Sequence, residues 1–117
     1  MSYKVERKKL TNHPGMQCIV WEYDNGVIEF ISYTTLVIRA VPRELVMNYF
    51  RDYDIIKKDG EQVDEDAYFI ECTGTYSRTT SKQIGCFLKE YFYNLNYYDM
   101  KAIAGQDVVV VAHRKEA

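Results

Sequence analysis

"YSRTTSKQIGCFLKEYFYNLNYY", residues 76–98, decides how this chain folds. Within it Ile84, Phe87, Leu88, Tyr91 and Leu95 recur at the spacing of one helix face. That period lets an amphipathic helix bury a single apolar stripe. Thr80, with Gln83 three residues later, fits a capping box in which each side chain satisfies a free backbone N–H. The pattern predicts a helix over 81–95 that turns strongly aromatic at its far end. A stripe of this kind needs a sheet to lie on.

Strands are found on both sides. "MQCIVWEYD", from residue 16, is rich in β-branched and aromatic residues, and "DNG" at 24–26 is a strong hairpin signal that suits a type I′ turn. Residues 27–41 read as one long strand, or two with a bulge, with apolar side chains on both faces. "NHPG" at 12–15 has turn chemistry. Pro42 opens "PRELVMNYFRDYD", where Leu45, Val46, Tyr49, Phe50 and Tyr53 keep helical spacing and predict a short helix. "IIKKDGEQVDEDA" reads as an exposed acidic turn around Asp59 and Gly60, and "YFIECTG" at 68–74 as a strand. Past the long helix, "NLNYYDM" reads as a break. "YDMKAIA" and "QDVVVVAHR" then read as a closing hairpin around Gly105, Gln106 and Asp107. The order implies an α+β fold: one domain over 1–117, a sandwich of a mostly antiparallel sheet with one long and one short helix.

Composition sets the class. Apolar residues make up 47% and charged residues 27%, which supports a folded globule over a disordered chain. No apolar run reaches the length of a membrane span, and "MSYKVERKKL" has no apolar stretch of the secretory type behind its charges. Cys18, Cys72 and Cys86 are odd in number and widely spaced, so a reducing cytoplasm is the expected compartment. The net charge of −2 is unevenly placed. Asp52, Asp54, Asp59, Glu61, Asp64, Glu65, Asp66 and Glu71 crowd into 52–71, whereas the flanking segments carry excess Lys and Arg. This plus–minus–plus pattern argues against a uniformly basic nucleic-acid binder.

Catalytic signatures are weak. Cys86, Ser77 or Ser81 as a nucleophile would need a base, and His13 and His113 are the only histidines. Cys86 lies well inside its helix, away from the N-terminal dipole that would lower a thiol pKa. No Cys-x-x-Cys or His-x-x-x-His spacing occurs, the acidic run lacks calcium-loop spacing, and Gly74 and Gly85 are isolated. The expectation is a protein that is not an enzyme and uses no cofactor or metal.

Two segments carry a resemblance. Ser32, Tyr33 and Thr35 in the long strand, and Tyr76, Ser77, Thr79 and Thr80 at the helix start, are similar to paired motifs in a family of small uncharacterised proteins. These occur in Firmicutes bacteria and their plasmids, conjugative elements and phages. The resemblance covers about half of the chain, and the acidic segment 42–66 is longer than the family pattern. It implies a mobile-element setting, in which small proteins inhibit or modulate host systems, anti-CRISPR inhibitors among them.

Three surfaces are candidates for binding. Arg78 and Lys82 beside the hydroxyls of Ser77, Thr79, Thr80 and Ser81 could hold an anion at the helix start. Lys82, Cys86, Lys89, Tyr93 and Tyr97 form a second helix face of aromatics flanked by cations, the make-up of an interface. Asp64, Glu65 and Asp66 represent the acidic segment, which could meet a basic partner as a mimic of nucleic-acid charge. The expected function is non-enzymatic binding of a host protein or nucleoprotein complex. The alternative is an accessory nucleic-acid-binding protein that uses the basic helix start. No membrane is involved, and a homodimer is left open.

Overall fold

The computed structural model describes residues 5–10, 17–57, 63, 65–74 and 77–115. The strands are β1 (Val5–Lys8), β2 (Cys18–Tyr23), β3 (Ile28–Ser32), β4 (Thr35–Pro42), β5 (Asp54–Ile56), β6 (Ala67–Cys72) and β7 (Val108–His113). A 3₁₀ turn, Arg43–Leu45, leads into the short helix α1 (Val46–Tyr49), and α2 (Arg78–Tyr91) and α3 (Tyr97–Ile103) follow β6. The strands form one sheet in the order β1-β2-β3-β4-β6-β7-β5. All neighbours are antiparallel except β5, which runs parallel to β7. The α+β class with a mostly antiparallel sheet is thus the observed one.

Strand alternation sends side chains to two separate apolar clusters. On one face Val20, Ile28, Phe30, Ile38, Ile70 and Val110 meet Ile84, Phe87, Leu88 and Tyr91 of α2 and Met100 and Ile103 of α3. Phe30 stacks on Phe87 with ring centroids 4.7 Å apart. On the other face Val41, Phe69, Val109 and Val111 pack under Phe50 and the partly buried Leu45, Val46 and Tyr53 around α1. The short helix therefore covers the face opposite the long one.

Local chemistry departs from the sequence expectation at four places. The hairpin at 24–26 is a three-residue loop in which Gly26 N–H donates to Tyr23 O and Tyr23 N–H to Val27 O. Gly26, not Asn25, takes the positive φ, at 97°. The turn is therefore not type I′, because both central residues of that type need positive φ. Residues 27–41 follow the second of their two expected readings, two strands with a bulge: β3 and β4 meet at a tight turn where Tyr33 adopts φ 57°, and the bulge lies between Phe30 and Ile31. The long helix starts earlier than 81: Ser77 is the cap and accepts from Thr80 N–H, so Thr80 lies inside the first turn. "YDMKAIA" is not a strand but α3, because Asn96 and Asp99 form a reciprocal capping box. Within the acidic turn, Asp54–Ile56 pairs with β7 as an exposed edge strand. The turns expected at 12–15 and at Asp59-Gly60 lie outside the described residues.

A polar network on the α1 face ties that helix to the sheet. Tyr23 OH donates to Glu29 Oε1 at 2.7 Å, and Arg39 bridges Glu29 at 3.0 Å and Glu71 at 3.3 Å. Tyr53 OH donates to Glu71 Oε2 at 3.1 Å, and the Arg39 guanidinium lies 5.8 Å from the Tyr49 ring centroid. One guanidinium thus joins two carboxylates that would otherwise repel.

Two outcomes test this packing. Phe87 and Leu88 have no exposed surface, so Phe87→Ala should cost about 3–5 kcal/mol and Leu88→Ala about 2–5 kcal/mol. Denaturant melts matching the parent would show that the stripe is not the core. The hydrogen bond to Glu29, followed by burial, pushes the Tyr23 phenol up to about 12 from its ordinary 10.0. Folding therefore favours protonated Tyr23. Its contribution is whole below about pH 10 and is lost as pH rises through about 12. Melting temperatures recorded across that window should fall less steeply for Tyr23→Phe than for the parent. An unchanged slope would remove Tyr23 from the network.

Candidate functional site

Three of the four hydroxyls at the start of α2 are spent within the fold. Thr80 is buried, and its Oγ1 lies 3.3 Å from both Ser77 Oγ and Ser32 Oγ. Ser32 Oγ also donates to Gln83 Oε1 at 2.5 Å. Ser81 Oγ donates to Ser77 O and to Tyr97 OH, both at 3.1 Å. Residues from the two resemblance segments, far apart in sequence, therefore meet in one buried junction that pins α2 to the end of β3. These groups are committed to capping and packing, which removes most of the hydroxyl cradle expected for an anion. Thr79 alone among the four is exposed without a hydrogen bond among the described residues.

The outer face of α2 is different. Arg78, Lys82 and Lys89 are exposed, and no salt bridge reaches them among the described residues. Beside Lys89 a groove of about 430 Å³ runs between Gly85 and the chain that follows the helix. Phe92, Tyr93, Leu95 and Tyr97 give it apolar walls, and Lys115 stands at its rim. Gly85 opens the floor: a Cβ there would meet nothing within 4 Å. Lys115 Nζ donates to Lys89 O at 3.4 Å, which holds the Lys115 ammonium against the last turn of α2.

Tyr93 and Tyr97, grouped in the sequence by helical spacing, lie beyond the end of α2 at Tyr91. Tyr93 is 68% exposed and stacks on His113, with centroids 5.7 Å apart. Tyr97 is half-buried in the first turn of α3, its hydroxyl held by Ser81. They still reach the same groove, because the chain folds back there. Tyr98, 74% exposed and packed edge-on to Tyr97, is a neighbour that sequence spacing missed. Its signal was the Asn96–Asp99 cap that makes α3 a helix. Lys115 was missed because strand alternation does not extend past His113.

The acidic surface is not remote. Glu65 and Asp66 are exposed and line a cleft of about 630 Å³ that Tyr93, His113, Arg114 and Lys115 also line. Asp64 lies outside the described residues. The acidic segment and the second helix face therefore adjoin, sharing Tyr93 and Lys115. None of the three cysteines forms a disulfide, and burial is the largest cause pushing each thiol up. Among the described residues no three His, Cys, Asp or Glu side chains are grouped for a metal ion. No helix among them is long and apolar enough to cross a membrane. No protein-family model, curated protein or solved structure matches the chain.

Glycine in a helix interior costs about 0.5–1 kcal/mol relative to alanine. Because a Cβ at Gly85 meets open space, Gly85→Ala should raise stability by about that amount in denaturant melts. A destabilised Gly85→Ala would mean that the helix packs against something at this position and that the groove is closed.

Proposed function

We propose that this protein works by binding a macromolecule without turnover, and that the groove on the outer face of α2 is the working surface. One observation carries the reading. Exposed tyrosine and an open apolar groove coincide with cations that no described carboxylate neutralises. Aromatic and aliphatic anchors in a pocket supply most interface energy, while rim charges set partner sign and association rate. The fitting partner is an acidic segment of a protein that inserts an apolar side chain over Gly85 between Tyr93 and Tyr97. Its carboxylates would meet Lys82, Lys89 and Lys115.

In the mobile-element setting that the resemblance implies, that partner is a host protein or nucleoprotein complex, blocked or modulated on binding as by an anti-CRISPR inhibitor. Nucleic acid is the second reading, since Tyr93 could stack a base while lysines meet phosphates. It is disfavoured by Glu65 and Asp66, which adjoin the groove and would repel a long polyanion, and by the net charge of −2.

Fluorescence polarisation with two labelled probes separates these readings. The probes are an Asp/Glu-rich peptide with a central Phe or Leu, and a single-stranded oligonucleotide of mixed sequence. Peptide binding is expected, with a modest salt dependence, and should be weakened about tenfold or more by Gly85→Leu and by Lys89→Glu. Oligonucleotide binding with a steep salt slope would transfer the function to nucleic acid. Binding of neither probe at low salt would sink the groove reading.

A further inference from the structure

The cleft beside the groove is lined by a guanidinium that has a buried donor without a partner. Arg114 Nε is the one buried side-chain nitrogen or oxygen among the described residues without a hydrogen-bond partner. Both the backbone and the side chain of Arg114 are held. Phe92 and Arg114 form an antiparallel bridge, Tyr93 N–H donates to His113 O, and Lys115 N–H donates to Tyr91 O. The guanidinium carbon lies 5.2 Å from the Tyr91 ring centroid and 6.0 Å from that of Tyr68. Ring faces balance its charge but accept few of its five N–H donors. No carboxylate among the described residues forms an ion pair with it. Native proteins seldom leave a buried donor unmet, because its desolvation is then uncompensated.

Arg114 lines the cleft of about 630 Å³, a volume suited to a small ligand. We propose that this cleft is a binding site for a zwitterion whose oxyanion head, carboxylate or phosphate, pairs with Arg114. An arginine fork held in place matches the two oxygens of such a head side by side. Glu44 and Glu65 line the same cleft and would select the other end of the ligand. They repel a polyanion and favour a cationic group. The site goes beyond the α2 groove and shares with it only Tyr93 and Lys115.

Nitrogen-15 NMR of the Arg114 Nε–H, assigned by its loss in Arg114→Lys, tests the proposal on the intact chain. The probes are acetate, inorganic phosphate and 5-aminovalerate, with chloride at matched ionic strength as the control. Acetate or phosphate should shift the resonance to saturation while chloride does not, and the tighter of the two identifies the head group. The zwitterion should bind severalfold more tightly than acetate, and Glu65→Gln should erase that advantage while leaving acetate binding in place. Arg114→Lys keeps a cation between the rings but loses the fork, so a remaining cleft amide should report affinity weakened about tenfold or more. A resonance that none of the three probes moves beyond chloride would overturn the site. So would full affinity in Arg114→Lys.

Discussion

Phe87 lying flat on Phe30 is the contact from which the rest of the molecule takes its orientation. Once Ile84, Phe87, Leu88 and Tyr91 face the sheet, the helical period leaves no freedom to the remaining positions of α2. Arg78, Lys82, Gly85 and Lys89 must face away from the core. Sliding of the helix along the sheet is resisted at one end by the Ser32–Thr80–Gln83 junction. At the other end Tyr91 OH donates to Glu22, which also pairs with Lys8. A buried hydroxyl–amide cluster has a directional requirement that apolar packing lacks. The stripe thus decides which face is down, and the polar ends decide where along β3 the helix stops.

The same junction gives the resemblance segments a physical meaning. Ser32 closes β3 and Thr80 sits in the first turn of α2, so two motifs far apart in sequence are the halves of one joint. Tyr33, beside Ser32, holds the positive φ that turns the chain from β3 into β4. These residue types are therefore explained by the fold. The functional surface has to be sought among residues that the joint leaves outward: Lys82, Lys89 and the aromatics beyond the helix.

Much of this was legible in the sequence, and what escaped did so for identifiable reasons. The α2 stripe is long and periodic, so its face was readable to the residue. Its start was not, because Ser77 and Thr80 are both good caps and the choice between them is made by Ser32 from another element. α3 escaped because its two buried residues, Met100 and Ile103, make too short a stripe. Only the Asn96–Asp99 pair marks it. β5 is three exposed residues inside an acidic stretch, held by pairing with β7, and no local signal reports a partner that distant. Of the residues grouped by helical spacing, Lys89, Tyr93 and Tyr97 line one groove, although the helix carrying that spacing ends at Tyr91. The chain turns back sharply enough that Tyr93 and Tyr97 stay beside the groove.

Spacing along one element could not show that Glu65 and Asp66 share a cleft with Arg114 and Lys115, because that requires β6 to lie against β7. This adjacency changes what the charge pattern means. An acidic and a basic stretch separated in sequence suggest two surfaces with two partners of opposite sign. Brought within one cleft, they make a field that changes sign over a distance comparable with the screening length of about 8–10 Å. Such a field attracts neither a long polyanion nor a long polycation. Under the proposed reading it would favour short ligands and segments whose own charge alternates or ends abruptly. Tyr93, standing at the boundary, offers the apolar contact that a charge pattern alone cannot supply, which is why discrimination at this surface rests on shape and local charge more than on the net charge of the chain.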